Sequence, residues 1–225
     1  NWNLSYETVN NPNCKDDYVQ VPEVNHFICK SRKGISSELV GLLRDFRVKV
    51  YKKKSKDKNI DEQEKIWYDT VQAAMKVYIN ASYGVFGTET FSLYSLPVAE
   101  SVTAIGRNVL MDTLKKSSEL NLHILYGDTD SLFLWDPPKE KLEAIIKSVK
   151  EKYDLDLEID KVFKIVLFSG LKKNYIGIDN DNKITIKGLV AKKSNTPEFI
   201  KIEFANALSI LQRLNEPEQV EITLN

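Results

Sequence analysis

Two aspartates, Asp128 and Asp130, stand two residues apart in the string Tyr-Gly-Asp-Thr-Asp-Ser at residues 126–131. Short apolar runs flank this string, so the pattern predicts a β-hairpin with both carboxylates on one side of its end. Carboxylates that close together repel each other, and a hard divalent cation relieves the repulsion. The pattern therefore indicates a metal site, although an isolated Asp-x-Asp pair is also typical of a plain hairpin turn.

A second group of polar residues precedes Gly84. Lys76, Asn80 and Tyr83 are spaced at i, i+4 and i+7, which places them on one face of a predicted helix. A lysine and an amide in that arrangement can hold the phosphates of a nucleotide, and the tyrosine ring can pack beneath its sugar. The alternative is an amphipathic helix whose polar residues are merely exposed.

A third group comprises Lys172, Lys173 and Tyr175 at the start of a predicted strand. Two cations and an aromatic ring suit contacts to a nucleic-acid backbone. A basic strand start without any ligand is the alternative for so short a pattern.

The bulk composition is that of an ordinary globular protein of 225 residues, with 42% hydrophobic and 28% charged residues. No apolar run approaches the roughly 18 residues of a membrane helix, and no secretory signal opens the chain. The 32 basic residues balance the 32 acidic ones, but residues 44–58 hold eight basic residues against two aspartates. Such a local patch, rather than the net charge, sets the field that a phosphate backbone meets.

Hydrophobic periodicity predicts the elements that carry these groups. Residues 1–35 look irregular, and two basic helices, over residues 36–50 and 62–83, should form an antiparallel hairpin. Helices then alternate with strands, and the last helix should begin near Glu198. The fold class predicted is α+β, with helices packed on an antiparallel sheet and a separate helical hairpin.

Taken together, the motifs resemble those of family B DNA polymerases of the archaeal type. Asp128 and Asp130 match the family's palm hairpin, and Lys76, Asn80 and Tyr83 match its fingers helix, with Ala81 where the family usually has serine. The Lys-Lys-x-Tyr element matches residues 172–175, and Lys187-Gly188 followed by Lys192-Lys193 resembles the segment leading to the thumb, where the family often has Arg-Arg-Asp. Arg47 occupies the place of a nucleotide-binding arginine, whereas Tyr51 replaces the lysine usual four residues later.

The resemblance implies template-directed DNA synthesis, in which two Mg²⁺ ions, or Mn²⁺ in their place, assist transfer of dNMP from dNTP to a primer 3′-hydroxyl. Asp130 and Asp128 are the implied catalytic metal ligands. The implied nucleotide-binding residues are Arg47, Lys76, Asn80 and Tyr83. The implied DNA-binding residues are Lys172, Lys173, Tyr175, Lys187 and Gly188.

The resemblance also implies subdomains: a palm-side segment at 1–35, fingers at 36–87, palm at 88–193 and the start of the thumb at 194–225. The family's first catalytic motif, its exonuclease domain and most of the thumb are missing, so we expect a fragment or one chain of a split enzyme that is inactive alone. Expected partners are primer–template DNA, dNTP, the remaining polymerase domains and a sliding clamp, in the cytoplasm with the nucleoid and not at a membrane. A non-catalytic DNA-binding or assembly module is the alternative function.

Cys14 and Cys29 are the only cysteines. Two unlinked thiols are the ordinary expectation for a cytosolic protein. The surrounding residues, however, resemble a segment of heat-adapted archaeal family B polymerases in which two such cysteines are bridged. Both alternatives stay open at the level of sequence.

Overall fold

A computed structural model describes residues 2–188 and 195–213 and divides the chain into two compact units, Asn1–Asp156 and Leu157–Asn225. Lys192 and Lys193 lie outside the described residues, as does the end of the predicted thumb segment. The first unit contains, in chain order, β1 (Tyr18–Gln20), β2 (Phe27–Cys29), α1 (Ile35–Asp45), a π-helix (Phe46–Tyr51), α2 (Lys52–Lys54), α3 (Glu62–Gly87), α4 (Leu96–Glu119), β3 (Ile124–Asp128), β4 (Ser131–Leu134) and α5 (Lys139–Tyr153).

The first 35 residues are more regular than their sequence predicts. Strands β1 and β2 pair antiparallel, and Val9 forms a bridge to Ile28 on the other side of β2. Both strands have only three residues, which is too short for an alternating apolar pattern to be recognised. Their stability comes from long-range packing, because Val9, Val21 and Ile28 join the core around α4.

The helical hairpin extends from α1 to α3. Asp61 caps α3 by accepting a hydrogen bond of 2.8 Å from the N–H of Glu64, which explains where the helix begins. The helix then passes through Gly84 and ends at Gly87, so it extends four residues beyond the predicted span of 62–83. A glycine inside a helix costs about 1 kcal/mol relative to alanine. Burial of Phe86 in the core, at 8% exposure, offsets that cost.

Helix α4 forms the centre of the first unit. Pro97 stands in its first turn, where a missing N–H removes no helical hydrogen bond, and Val98, Ala104 and Ile105 are buried. Near its C-terminal end Asp112 accepts hydrogen bonds from Lys152 and Tyr153 of α5. These hydrogen bonds, the one from Lys152 foremost, hold the pKa of Asp112 below its ordinary value.

The second unit is a three-stranded antiparallel meander followed by one helix. Strands β5 (Phe163–Phe168), β6 (Tyr175–Asp179) and β7 (Ile184–Lys187) pair in that order, and α6 spans Glu198–Leu211. Ile165, Ile178 and Leu211 form its core. The α+β class is therefore confirmed, but the strands within the described ranges form three separate antiparallel sheets.

Candidate active site

The predicted carboxylate hairpin is formed by β3 and β4. Its register pairs Gly127 with Leu132 and Asp128 with Ser131, so only Thr129 and Asp130 form the turn. A two-residue connection is the tightest common hairpin loop. Asp128 therefore belongs to the strand rather than to the loop.

The two carboxylates differ in their surroundings. Asp128 is half-buried, and the Thr129 hydroxyl donates to its Oδ1 at 3.0 Å, whereas Asp130 is exposed at the tip. Behind the tip, the rings of Tyr126 and Phe133 pack edge to face with their centroids 5.7 Å apart. This packing holds the two strands together next to the turn and thereby positions both aspartates.

The donor set of this hairpin fits a hard divalent cation in part. Carboxylate oxygens are ligands that Mg²⁺ accepts, and this ion usually takes only one or two of them and completes its octahedron with water and substrate phosphates. Across residues 2–188 and 195–213, no group of three or more histidine, cysteine, aspartate or glutamate side chains is arranged to hold a metal ion. Asp128 and Asp130 could therefore supply two ligands of a site.

The predicted nucleotide-binding residues lie on the helical hairpin. Lys76 and Asn80 are exposed on α3, and Tyr83, on the same helix, is 45% exposed. Arg47 lies in the π-helix, and its Nε donates to the carbonyl oxygen of Gln72 at 3.2 Å. Because Gln72 precedes Lys76 by about one helical turn, the structure brings Arg47 to the part of α3 that carries the lysine.

The π-helix is a feature that periodicity did not predict. The N–H of Lys52 donates to the carbonyl oxygen of Arg47, five residues earlier, and normal α-helix follows at α2. Such one-residue widenings are rare and occur frequently at functional sites. No residue type in Phe46–Tyr51 announces the change, because the apolar spacing fits an α-helix equally well.

The predicted DNA-binding residues come together in the second unit. Lys172 and Lys173 are exposed in the connection from β5 to β6, and Tyr175 opens β6 opposite Lys187 of β7. Gly188 follows with φ of 72°, and a Cβ atom added there would lie 2.1 Å from the carbonyl oxygen of Lys173. Two motifs that are twelve residues apart in sequence therefore form one surface, and Gly188 permits their close approach.

The base of the helical hairpin contains polar residues whose role the sequence did not reveal. The Glu7 carboxylate accepts a hydrogen bond from the N–H of Ile35, and the Ser5 hydroxyl accepts one from the N–H of Ser36 at 3.1 Å. These side chains cap α1 from about 30 residues upstream, a distance at which no local capping pattern is recognisable. Burial raises the pKa of Glu7, but hydrogen bonds from Ser5 and Ile35 outweigh burial and lower it overall.

A disulfide joins Cys14 to Cys29 in the structure, with 5.8 Å between the Cα atoms. The bridge connects the irregular segment before β1 to the last residue of β2. It therefore fastens the small hairpin that packs next to α4.

Comparison with known proteins decides the family. The family model described as DNA polymerase family B matches residues 1–223. The chain belongs to DNA polymerase family B. The chain is 68% identical to DNA polymerase 1 of Aeropyrum pernix over 223 aligned residues. The alignment covers 99% of this chain and 23% of that protein. DNA polymerase 1 of Saccharolobus solfataricus is 56% identical over 98% of this chain and 25% of its own length.

A solved family B structure agrees in fold. The family B DNA polymerase from the hyperthermophilic archaeon Pyrobaculum calidifontis matches 98% of this chain and 28% of that chain, with a TM-score of 0.72 and 30% identity. This family B chain thus spans about a quarter of the length of the relatives that it matches. In the part that the structure describes, no helix combines the length and the apolar character needed to cross a membrane.

Proposed function

We propose that this family B chain takes part in template-directed DNA synthesis by transferring dNMP from a dNTP to a primer 3′-hydroxyl. The observation that carries the proposal is the pair of carboxylates, Asp128 and Asp130, at the two-residue turn of the β3–β4 hairpin. A plain hairpin turn gains nothing from two like charges two residues apart, whereas a bound cation relieves their repulsion.

The fingers residues supply positive charge and shape for the nucleotide. Lys76 and Arg47 neutralise the triphosphate, where negative charge develops during phosphoryl transfer, and Asn80 donates a hydrogen bond to it. Tyr83 packs against the sugar and disfavours a 2′-hydroxyl. The exposure of Lys76 and Asn80, together with the hydrogen bond from Arg47 to α3, supports this assignment.

The carboxylates hold the metal. Asp130 would be the principal ligand of Mg²⁺, or of Mn²⁺ in its place, and Asp128 would assist it. When bound, two such ions would supply activation of the primer hydroxyl and neutralisation of the leaving pyrophosphate. The hydrogen bond from the Thr129 hydroxyl restrains the half-buried Asp128 and supports its assisting role.

The second unit holds the primer. Lys172, Lys173 and Lys187 contact its phosphates, and Tyr175 packs against its sugar–phosphate backbone. The pairing of Tyr175 with Lys187 supports a single primer-binding surface. Further partners in this proposal are template DNA, the polymerase domains that carry the first motif and the exonuclease, and a sliding clamp, in the cytoplasm at the nucleoid.

The proposal is tested by primer extension with Mg²⁺ and labelled primer–template. Two metals carrying a triphosphate need carboxylates from two sides, so we expect the purified chain alone to extend nothing. Addition of a polypeptide that ends with the family's first motif should restore extension. Robust extension by the chain alone would show that the catalytic carboxylates are misplaced.

A matched pair of variants sharpens this test. Asp130→Asn keeps the size of the side chain and removes its charge, and in the restored complex it should lower extension to background while DNA affinity stays unchanged. Asp160→Asn removes an exposed aspartate outside the site and should have no effect. Equal extension by both variants contradicts the metal assignment. DNA binding without extension by the wild-type chain mixed with that polypeptide favours the non-catalytic module.

A further inference from the structure

Three aromatic rings cluster between the two arms of the helical hairpin, near the start of α3. The ring centroids of Tyr51 and Trp67 are 5.9 Å apart, those of Tyr51 and Tyr68 are 6.1 Å apart, and those of Trp67 and Tyr68 are 5.0 Å apart. Lys54 Nζ lies 5.1 Å from the centroid of the Tyr68 ring and donates to its hydroxyl at 3.0 Å. We call Tyr51, Trp67, Tyr68 and Lys54 the distal aromatic cluster.

The exposure of the cluster differs from that of a hydrophobic core. Tyr51 and Tyr68 are half-buried between the helices, so they explain why the hairpin holds together. Trp67, however, is 54% exposed, although it is the largest of the three side chains. Trp67 packs against the rings of Tyr51 and Tyr68 and still presents an accessible aromatic face to solvent.

The chain segment next to the cluster, before the turn of the helical hairpin, is rich in lysine. Residues 51–58 contain five lysines and a single acid, Asp57. The hydrogen bond to Tyr68 raises the pKa of Lys54, which therefore stays charged. Four acids lie at the start of α3 or just before it. The Asp61 carboxylate caps the helix, and Glu62 pairs with Lys65 at 3.7 Å. Glu64 acts on Lys54 through its charge, and Asp69 lies two residues after Trp67.

We propose that the distal aromatic cluster and the lysines of residues 51–58 bind single-stranded nucleic acid, with one base stacked on Trp67 and phosphates held by Lys53 and its neighbours. Aromatic faces combined with a basic groove are the general means of binding single strands, because every base offers a stacking face. The site is separate from the proposed nucleotide site, since Trp67 precedes Lys76 by nine residues, or about 14 Å along the helix.

Binding is measured on the whole chain without dNTP or metal, so the result is independent of catalysis. The probe is an oligothymidylate of about 12 nucleotides, a length within the usual site size of one single-strand-binding module. Stacking should quench tryptophan fluorescence in the wild-type chain. Quenching should disappear in Trp67→Phe, a variant that retains an aromatic ring at this position. It should persist in Trp135→Phe, the matched control, because Trp135 is exposed to a similar extent, 58%.

Affinity is measured in parallel by anisotropy of the labelled oligonucleotide. Trp67→Ala should weaken binding by roughly 5- to 150-fold, the loss expected for one stacked base, while Trp135→Ala should not. Lys53→Gln should reduce the slope of log affinity against log salt by about 0.7, as for one released phosphate contact. Undiminished quenching in Trp67→Phe, with wild-type affinity in Trp67→Ala and an unchanged salt slope in Lys53→Gln, overturns the proposal. The same holds if these variants bind the oligonucleotide normally but lose affinity for other polymerase domains, because the surface is then a protein contact.

Discussion

Gly188 offers a direct test of how the second unit assembles its proposed primer-binding surface. An alanine there has two costs: a backbone with φ of 72° disfavours any side chain by about 1–2 kcal/mol, and the new Cβ overlaps the Lys173 carbonyl oxygen at 2.1 Å. Real contacts are about 3 Å or longer, so the backbone must shift by roughly 1 Å, and overpacking of that kind costs about 1–3 kcal/mol. We expect Gly188→Ala to lower the free energy of unfolding by about 2–5 kcal/mol.

The matched control is Gly170→Ala, in the same unit. Gly170 has a similar φ of 77° but no atom within 4 Å of an added Cβ, so only the backbone cost of about 1–2 kcal/mol applies. Urea unfolding followed by circular dichroism measures both variants. Tryptophan fluorescence reports the unfolding of the first unit, because all three tryptophans belong to it, and it should change little in either variant. Primer–template affinity should fall more in Gly188→Ala than in Gly170→Ala. Equal losses of stability and affinity in the two variants would refute the contact between the two motifs.

The other predictions concern the nucleotide, the thiols and acid. Lys76→Ala in the assembled enzyme should raise the KM for dNTP by roughly 10- to 150-fold, as expected for loss of one charge-assisted hydrogen bond. If DNA affinity falls and the KM does not change, Lys76 contacts the DNA backbone instead. Unreduced, denatured protein should show no free thiol on titration, and reduction of the Cys14–Cys29 bridge should cost about 3 kcal/mol of stability; two reactive thiols contradict the bridge. The pKa of Asp112 is depressed in the folded state. Its contribution to the free energy of unfolding is therefore complete above the unfolded-state pKa of about 3.9 and is lost as the pH falls through the lower folded-state pKa. Asp112→Asn should make the free energy of unfolding fall less steeply with decreasing pH, and an unchanged fall contradicts this role of Asp112.

The sequence predicted the elements that have long or strongly patterned signals. The helical hairpin and the carboxylate hairpin appear close to their expected positions, because local periodicity and turn residues determine them. The site residues on α3 were placed on one helical face by their spacing alone. Their roles, in contrast, depended on resemblance and stay predictions.

The features that sequence did not predict depend on contacts between distant residues. Pairing of β1 with β2 relies on Val9 and the core around α4, and α3 passes Gly84 because Phe86 is buried. The approach of Gly188 to Lys173 and the capping of α1 by Glu7 join residues that are 15 and 28 positions apart. A local pattern contains no information about such partners, since the tertiary fold creates them.

The capped start of α1 has a mechanical consequence. Its first N–H groups are held by Ser5 and Glu7, which attach this end of the helix to the segment before β1. A rotation of the hairpin that preserves these hydrogen bonds would therefore be centred on this end. The helical segments from Ile35 to Lys54 act as a lever of about 30 Å, at 1.5 Å per residue. A rotation of about 10° about the capped end would then move the far end by roughly 5 Å. The Glu7 carboxylate and the Ser5 hydroxyl lie at the centre of that rotation.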